Sequence, residues 1–187
     1  MDIKKFTTGH PETKYSNRRW EIKSTPVFTT DGELYWEQLR SLAPAVVVVP
    51  VNDDDQIAII SQNRILVDGQ CHIVSEFPSG WVEENSHNPD LTKIAQEANR
   101  ELQEEIGFEA QKLELLTQFQ LGNFAVVPYY IFLATGLKAH HLDRDLGEVV
   151  KVDWLSFDQA EERLLRSQIP TAQVYIALHA YKNYLVK

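Results

Sequence analysis

Between Phe77 and Phe108 a short glycine-containing loop runs into a helical pattern that is apolar along one stripe and acidic along the next. Asn88 is placed as N-cap, Pro89 at the first helical position and Asp90 at the positive end of the helix dipole, with Gly107 as the C-terminal stop. At about 100° per residue, Ala95, Ala98, Leu102 and Ile106 share a stripe that can pack on a sheet. Glu97, Glu101, Glu104 and Glu105 form the acidic stripe beside it. Like charges three and four apart repel by roughly 0.2–0.5 kcal/mol per pair. The last turns of a helix also favour cations over anions. Two readings fit: a solvated acidic face, or hard oxygen ligands for Mg²⁺ or Mn²⁺, which would relieve both conflicts.

The residues around the stripe favour the second. Arg100-Glu101-Leu102-Gln103-Glu104-Glu105-Ile106-Gly107-Phe108, following the loop at Gly80, resembles the Nudix box of the Nudix hydrolase superfamily. The spacing from Gly80 to Arg100 is longer than the family's, with the extra residues inside Asn85–Lys93; Thr92 occupies the position of another box glutamate, for which Glu83 or Glu84 is the stand-in. The resemblance implies that Glu101, Glu104 and Glu105 hold the metal, helped by the backbone carbonyl of Ser79.

The chain is long enough for one hydrophobic core, and its 43% apolar content is ordinary for a globular protein. A net charge of −9 argues against a general nucleic-acid surface. It leaves room for a small anionic substrate, because a metal inverts the local field. Cys71 is the sole cysteine, which excludes an intramolecular disulfide; on an apolar strand it is expected to be a core thiol. No apolar run suits a signal peptide or a membrane span, so no membrane association is expected and the expected location is cytoplasmic.

Residues 1–17 read as a loose polar arm. Arg18–Leu39 reads as an antiparallel meander turning at Thr30-Asp31-Gly32-Glu33. Trp20 and Trp36 lie in it, as anchors of a small sheet or as a stacking clamp for a flat ring. Pro44–Val51 is a continuous apolar run, as expected of a strand buried on both faces. Asp53-Asp54-Asp55 is a solvated turn, Gln56–Gln62 a returning strand, and Arg64 sits at its end, placed to grip a phosphate or to make a surface ion pair. Cys71–Phe77, Gln111–Leu121 and Val126–Thr135 read as strands, and the last two are joined at Gly122-Asn123-Phe124. His140-His141 falls in a polar loop that leads to Glu148 at a strand edge. Ser156 opens a capping box, and Thr171 caps a final helix whose buried face is Val174, Ile176, Ala177, Ala180 and Tyr184.

Several of these segments are similar to the ADP-ribose and nucleoside diphosphate sugar pyrophosphatase branch of that superfamily. They are Trp20 with Asp31-Gly32 and Trp36-Glu37, Gln62-Asn63-Arg64, Glu76-Phe77-Pro78-Ser79-Gly80, and Gly147-Glu148. The implied fold is α/β, a mixed β-sheet sandwiched between helices with an N-terminal antiparallel β-meander. The implied division is residues 1–42 as a dimerising arm and meander and residues 43–187 as the Nudix hydrolase domain. The implied reaction is Mg²⁺-dependent hydrolysis of the diphosphate of ADP-ribose or a nucleoside diphosphate sugar. Glu148 would be the general base, with Glu105 also catalytic. Arg64, Glu76 and Gly80 would contact substrate, and Trp20 and Trp36 from two subunits of a domain-swapped homodimer would clasp the base. The alternatives are a Nudix hydrolase acting on a dinucleotide cofactor or a nucleoside triphosphate, and a non-catalytic ligand sensor on the same scaffold.

Overall fold

A computed structural model describes residues 6–82, 90–143, 151–166 and 170–187. The apolar run at 44–51 becomes strand β5 (Ala45–Pro50), buried at every position. Its side chains alternate between two cores. Val47 and Val49 meet Ile57, Ile59, Ile131 and Leu133 and the residues Leu164, Val174 and Leu178. Val46 and Val48 meet Ala58, Ile60 and Phe132 and the residues Ile94, Ala98 and Leu102. Burying each valine fully is worth roughly 1.5–3 kcal/mol, which is why a strand with no polar face sits in the middle layer.

That layer consists of two sheets. In one, β8 (Ser79–Trp81), β5, β11 (Pro128–Ala139) and β9 (Phe108–Gln120) lie in that order, β5 and β11 running parallel and the other pairs antiparallel. In the other, β6 (Ile57–Ile65) pairs with β12 (Lys151–Leu155) and β7 (Cys71–Glu76). Helix α1 (Leu91–Glu105) covers one face, and α2 (Phe157–Leu165) and α3 (Ala172–Leu185) cover the other. The architecture is therefore the expected mixed α/β sandwich.

A third sheet lies at the N-terminus. Strand β3 (Trp20–Thr29) pairs with β4 (Gly32–Ser41) in the expected meander. The loose arm expected before it instead contains β1 (Thr7–Thr8) and β2 (Glu12–Ser16), both antiparallel to β3. Short and mostly polar, with no apolar alternation, these strands carry no sequence signal; pairing with the open edge of β3 orders them. The far edge of β4 takes a parallel strand from much later in the chain, β10 (Ala125–Val126). A break at Val127 separates β10 from β11, where one strand was expected from Val126 to Thr135.

Four local expectations are corrected. The N-cap of α1 is Asp90, whose carboxylate accepts the Thr92 N–H at 3.3 Å, and the helix begins at Leu91; Asn88 and Pro89, expected in these roles, lie outside the described residues. Cys71 is exposed, because it pairs with Ile65 at the outer end of the β6–β7 hairpin, beyond the reach of either core. Strand β6 runs on to Ile65, past the expected end at Gln62, and so includes Arg64. Helix α3 buries Val174 and Ala177 as expected but also Leu178 and Tyr181, with Ile176 and Tyr184 only partly covered; its N-cap Thr171 makes no side-chain capping bond. Gly107 follows the C-cap Ile106 with φ of 78°, the left-handed geometry that stops a helix and favours glycine. Ser156 forms the full capping box with Gln159.

Candidate active site

Helix α1 turns its acidic stripe inward. Glu101 is 7% exposed and Glu105 is 1% exposed, so the stripe is no solvated face. The fold supplies partners. Arg100 spreads its guanidinium across three carboxylates, donating from Nε to Glu97 at 2.8 Å, from Nη1 to Glu104 at 2.5 Å and from Nη2 to Glu101 at 2.5 Å. Burial works to lower the Arg100 pKa, but the hydrogen bond to Glu97 and the charges of Glu101 and Glu104 more than reverse that, and its pKa is raised. The repulsion read from the sequence is thus already met in part by an internal cation. Among the described residues, no three acidic, histidine or cysteine side chains converge as ligands in this conformation.

The loop before α1 completes the cluster. The Ser79 backbone N–H donates to Glu105 Oε2 at 2.8 Å, so Ser79 touches the box through its amide. β8 is held to β5 with Gly80 opposite Val46. A Cβ on Gly80 would collide with the carboxyl group of Glu101. A larger residue at position 80 would therefore displace the Glu101 carboxylate from its place in the cluster.

A cavity of about 640 Å³ opens beside this cluster. Of the residues expected at the site, Arg64, Glu76, Ser79, Gly80, Glu101 and Glu104 line it. Glu76 is 7% exposed and accepts from Gln62 Nε2 at 2.9 Å and from Arg64 Nε at 3.0 Å. Its carboxylate thus fixes the Arg64 side chain at the edge of the cavity that Arg64 lines. Glu148 and the stand-ins Glu83 and Glu84 lie outside the described residues.

The two tryptophans are not brought together within the chain. Trp20 stands opposite Ser41 and Trp36 opposite Thr25. That offset is on the order of 17 Å along a strand at ~3.3 Å per residue, and an odd number of positions, which puts them on opposite faces. Trp20 packs edge-on against Trp81, with ring centroids 5.0 Å apart and planes at 83°. Trp36 is 43% exposed.

Cavity residues not anticipated are Arg18, Arg19, Trp81, Tyr129 and Gln173. Tyr129 stacks on Phe119 at 5.0 Å, and burial, then the charge of Glu76, raises its pKa, so it stays a protonated hydroxyl. The adjacent arginines beside Trp20 were the legible signal for the first two. Tyr129 and Gln173 come from a strand start and a first helical turn that only the folded chain brings to the loop at Gly80.

The NUDIX domain family model matches residues 41–177. An ADP-ribose pyrophosphatase of Bacillus subtilis (strain 168) is 30% identical over 171 residues, covering 91% of this chain and 86% of that protein. A methanol dehydrogenase activator of Bacillus methanolicus is 26% identical over 170 residues, covering 89% and 87%. The crystal structure of an ADP compounds hydrolase superposes with a TM-score of 0.78 at 22% identity, covering 100% of this chain and 97% of that one.

Proposed function

Because this chain belongs to the NUDIX domain family and is a hydrolase of that family, we propose that its substrate is ADP-ribose or a related nucleoside diphosphate sugar, cleaved at the diphosphate into a nucleoside monophosphate and a sugar phosphate. The observation that carries this reading is a pair of buried glutamates, Glu101 and Glu105, beside a cavity of about 640 Å³ that Arg64 also lines. The relative in Bacillus subtilis supports the choice of substrate class.

Glu101, Glu104 and Glu105 are acceptor-only oxygens spaced i, i+3 and i+4 on one helix, a donor set that fits a hard divalent cation such as Mg²⁺ or Mn²⁺. The Ser79 carbonyl would be a further oxygen ligand. Such an ion supplies charge neutralisation at the diphosphate and lowers the pKa of a bound water from about 16 toward neutrality. The chain's own groups do the remaining work. Arg100 holds Glu101 and Glu104 apart from one another's charge. Gly80 leaves the space into which Glu101 reaches. Arg64, held by Glu76, which Gln62 in turn holds, offers its guanidinium to a phosphate oxygen. Glu148 takes the proton from the attacking water.

The nucleobase is held by Trp20 and Trp36 of different chains, since one chain sets them on opposite faces of its N-terminal sheet. The partner is therefore a second copy that exchanges N-terminal strands, and residues 1–42 act as the dimerising unit for the hydrolase domain at 43–187. No described helix is long and apolar enough to cross a membrane, and the proposed location is the cytoplasm.

Incubation with ADP-ribose and Mg²⁺ should release AMP and ribose 5-phosphate, and chelation should stop it. Binding of ADP-ribose without release of AMP would move the reading to a ligand sensor. Faster turnover of a dinucleotide cofactor or a nucleoside triphosphate in a substrate panel would move it to another Nudix activity.

A further inference from the structure

Resting on the reading above, we infer that Arg18 and Arg19 form an anion clamp in the same cavity, gripping the diphosphate of the nucleotide substrate from the N-terminal side. The cavity is lined by the four arginines 18, 19, 64 and 100 against the three glutamates 76, 101 and 104, in a chain whose formal net charge is −9. Positive charge is thus concentrated where the molecule as a whole repels anions. The four guanidinium groups are not equivalent. All three nitrogens of Arg100 are taken by carboxylates, and Arg64 gives its Nε to Glu76. Arg18 and Arg19 make no side-chain hydrogen bond or ion pair among the described residues, and both residues line the cavity.

Their position is nevertheless fixed. Asn17 Oδ1 accepts the backbone N–H groups of Arg19 at 2.8 Å and Trp20 at 2.7 Å, and the Asn17 N–H donates to the Trp20 carbonyl at 2.8 Å. The Arg19 carbonyl accepts the Leu42 N–H at 2.9 Å, tying the segment to the approach of β5. In an extended strand, successive side chains point to opposite sides. Here the chain bends at both residues, and the two reach one cavity. Like charges carried by adjacent residues repel, and a bound anion would relieve that repulsion. The planar guanidinium forks match phosphate oxygens in pairs.

The test is the double variant R18Q/R19Q, compared with wild type and with the charge-preserving R18K/R19K. With ADP-ribose and Mg²⁺, R18Q/R19Q should raise KM by about tenfold while kcat stays within about twofold, the signature of lost substrate binding. The fall of kcat/KM with added salt should become shallower, and R18K/R19K should recover most of the loss. Calorimetric titration of ADP-ribose into the same variants carrying E105Q should show the same weakening in Kd. If R18Q/R19Q is poorly folded, the single variants R18Q and R19Q should each weaken Kd by about threefold. A Kd and KM within twofold of wild type, or a loss of kcat at unchanged KM, overturns the clamp. Absence of AMP with the wild-type protein overturns the hydrolytic reading instead, and the calorimetric series still decides the role of the arginines.

Discussion

β4 and β5 follow one another in the chain, and both carry large apolar side chains, yet they meet opposite fates. β5 is buried at all of its positions, sealed between α1 on one face and α2 and α3 on the other. Along β4, Leu34 is 42%, Tyr35 61%, Trp36 43% and Leu39 39% exposed, although Tyr35 and Trp36 project to opposite faces of the strand. Neighbouring β3 adds Phe28 at 44%. The body of the molecule completes its own core, whereas its N-terminal sheet leaves apolar residues exposed on both sides. The contrast separates two regions: the body fixes the carboxylates, and the N-terminal sheet is the region to which the proposed dimer assigns its contacts.

Substitutions on either side should break this contrast in different observables. The largest effect is expected from Leu102→Ala in the core under α1, which should cost about 2–5 kcal/mol of stability in a denaturant titration and leave any association of the N-terminal sheet untouched until the body unfolds. Next, Glu105→Gln should lower kcat by at least about 100-fold, since even residues behind metal ligands cost 10–100-fold. Its melting temperature and its mass by light scattering should stay at wild-type values. Wild-type turnover by this variant would remove Glu105 from the metal set. Trp36→Ala should raise KM by about tenfold, within the roughly 1–3 kcal/mol of a base stacked on an aromatic ring, with kcat little changed. The smallest effect on the fold belongs to Leu34→Lys, where a bare surface predicts a stability change within about 0.5 kcal/mol. The same variant should halve the mass measured by light scattering if a second copy covers that face.

The two regions also differed in how far they could be read from sequence. The body was legible where a local rule is strong: the unbroken apolar run of β5, the Gly107 stop and the Ser156 capping box all stand where the pattern put them. What failed there depended on tertiary placement. Cys71 looked like a core thiol because its strand is apolar, but a strand that outruns its covering helices exposes its tip. The acidic stripe looked like a problem for a metal to solve, but Arg100, inside the same motif, already meets three of its carboxylates. In the N-terminal sheet β1 and β2 escaped notice because their residues carry no alternation to mark a strand. The cavity residues Tyr129 and Gln173 were invisible for a related reason: nothing near either position speaks of a ligand, and their role is conferred by neighbours distant in sequence.

The seam between β4 and β10 bears on how the chain can be dissected. Leu39 faces Ala125 and Arg40 faces Val126, while the Leu39 N–H and the Gln38 side-chain amide donate to the carbonyls of Phe124 and Asn123 at 2.8 and 2.6 Å. An expression fragment starting at position 43 would amputate the partner of that edge and leave its carbonyls to water, a short distance upstream of Tyr129. Trimming the N-terminal sheet away is therefore not a neutral excision, and a loss of activity in such a fragment would report a torn seam as much as a missing dimer.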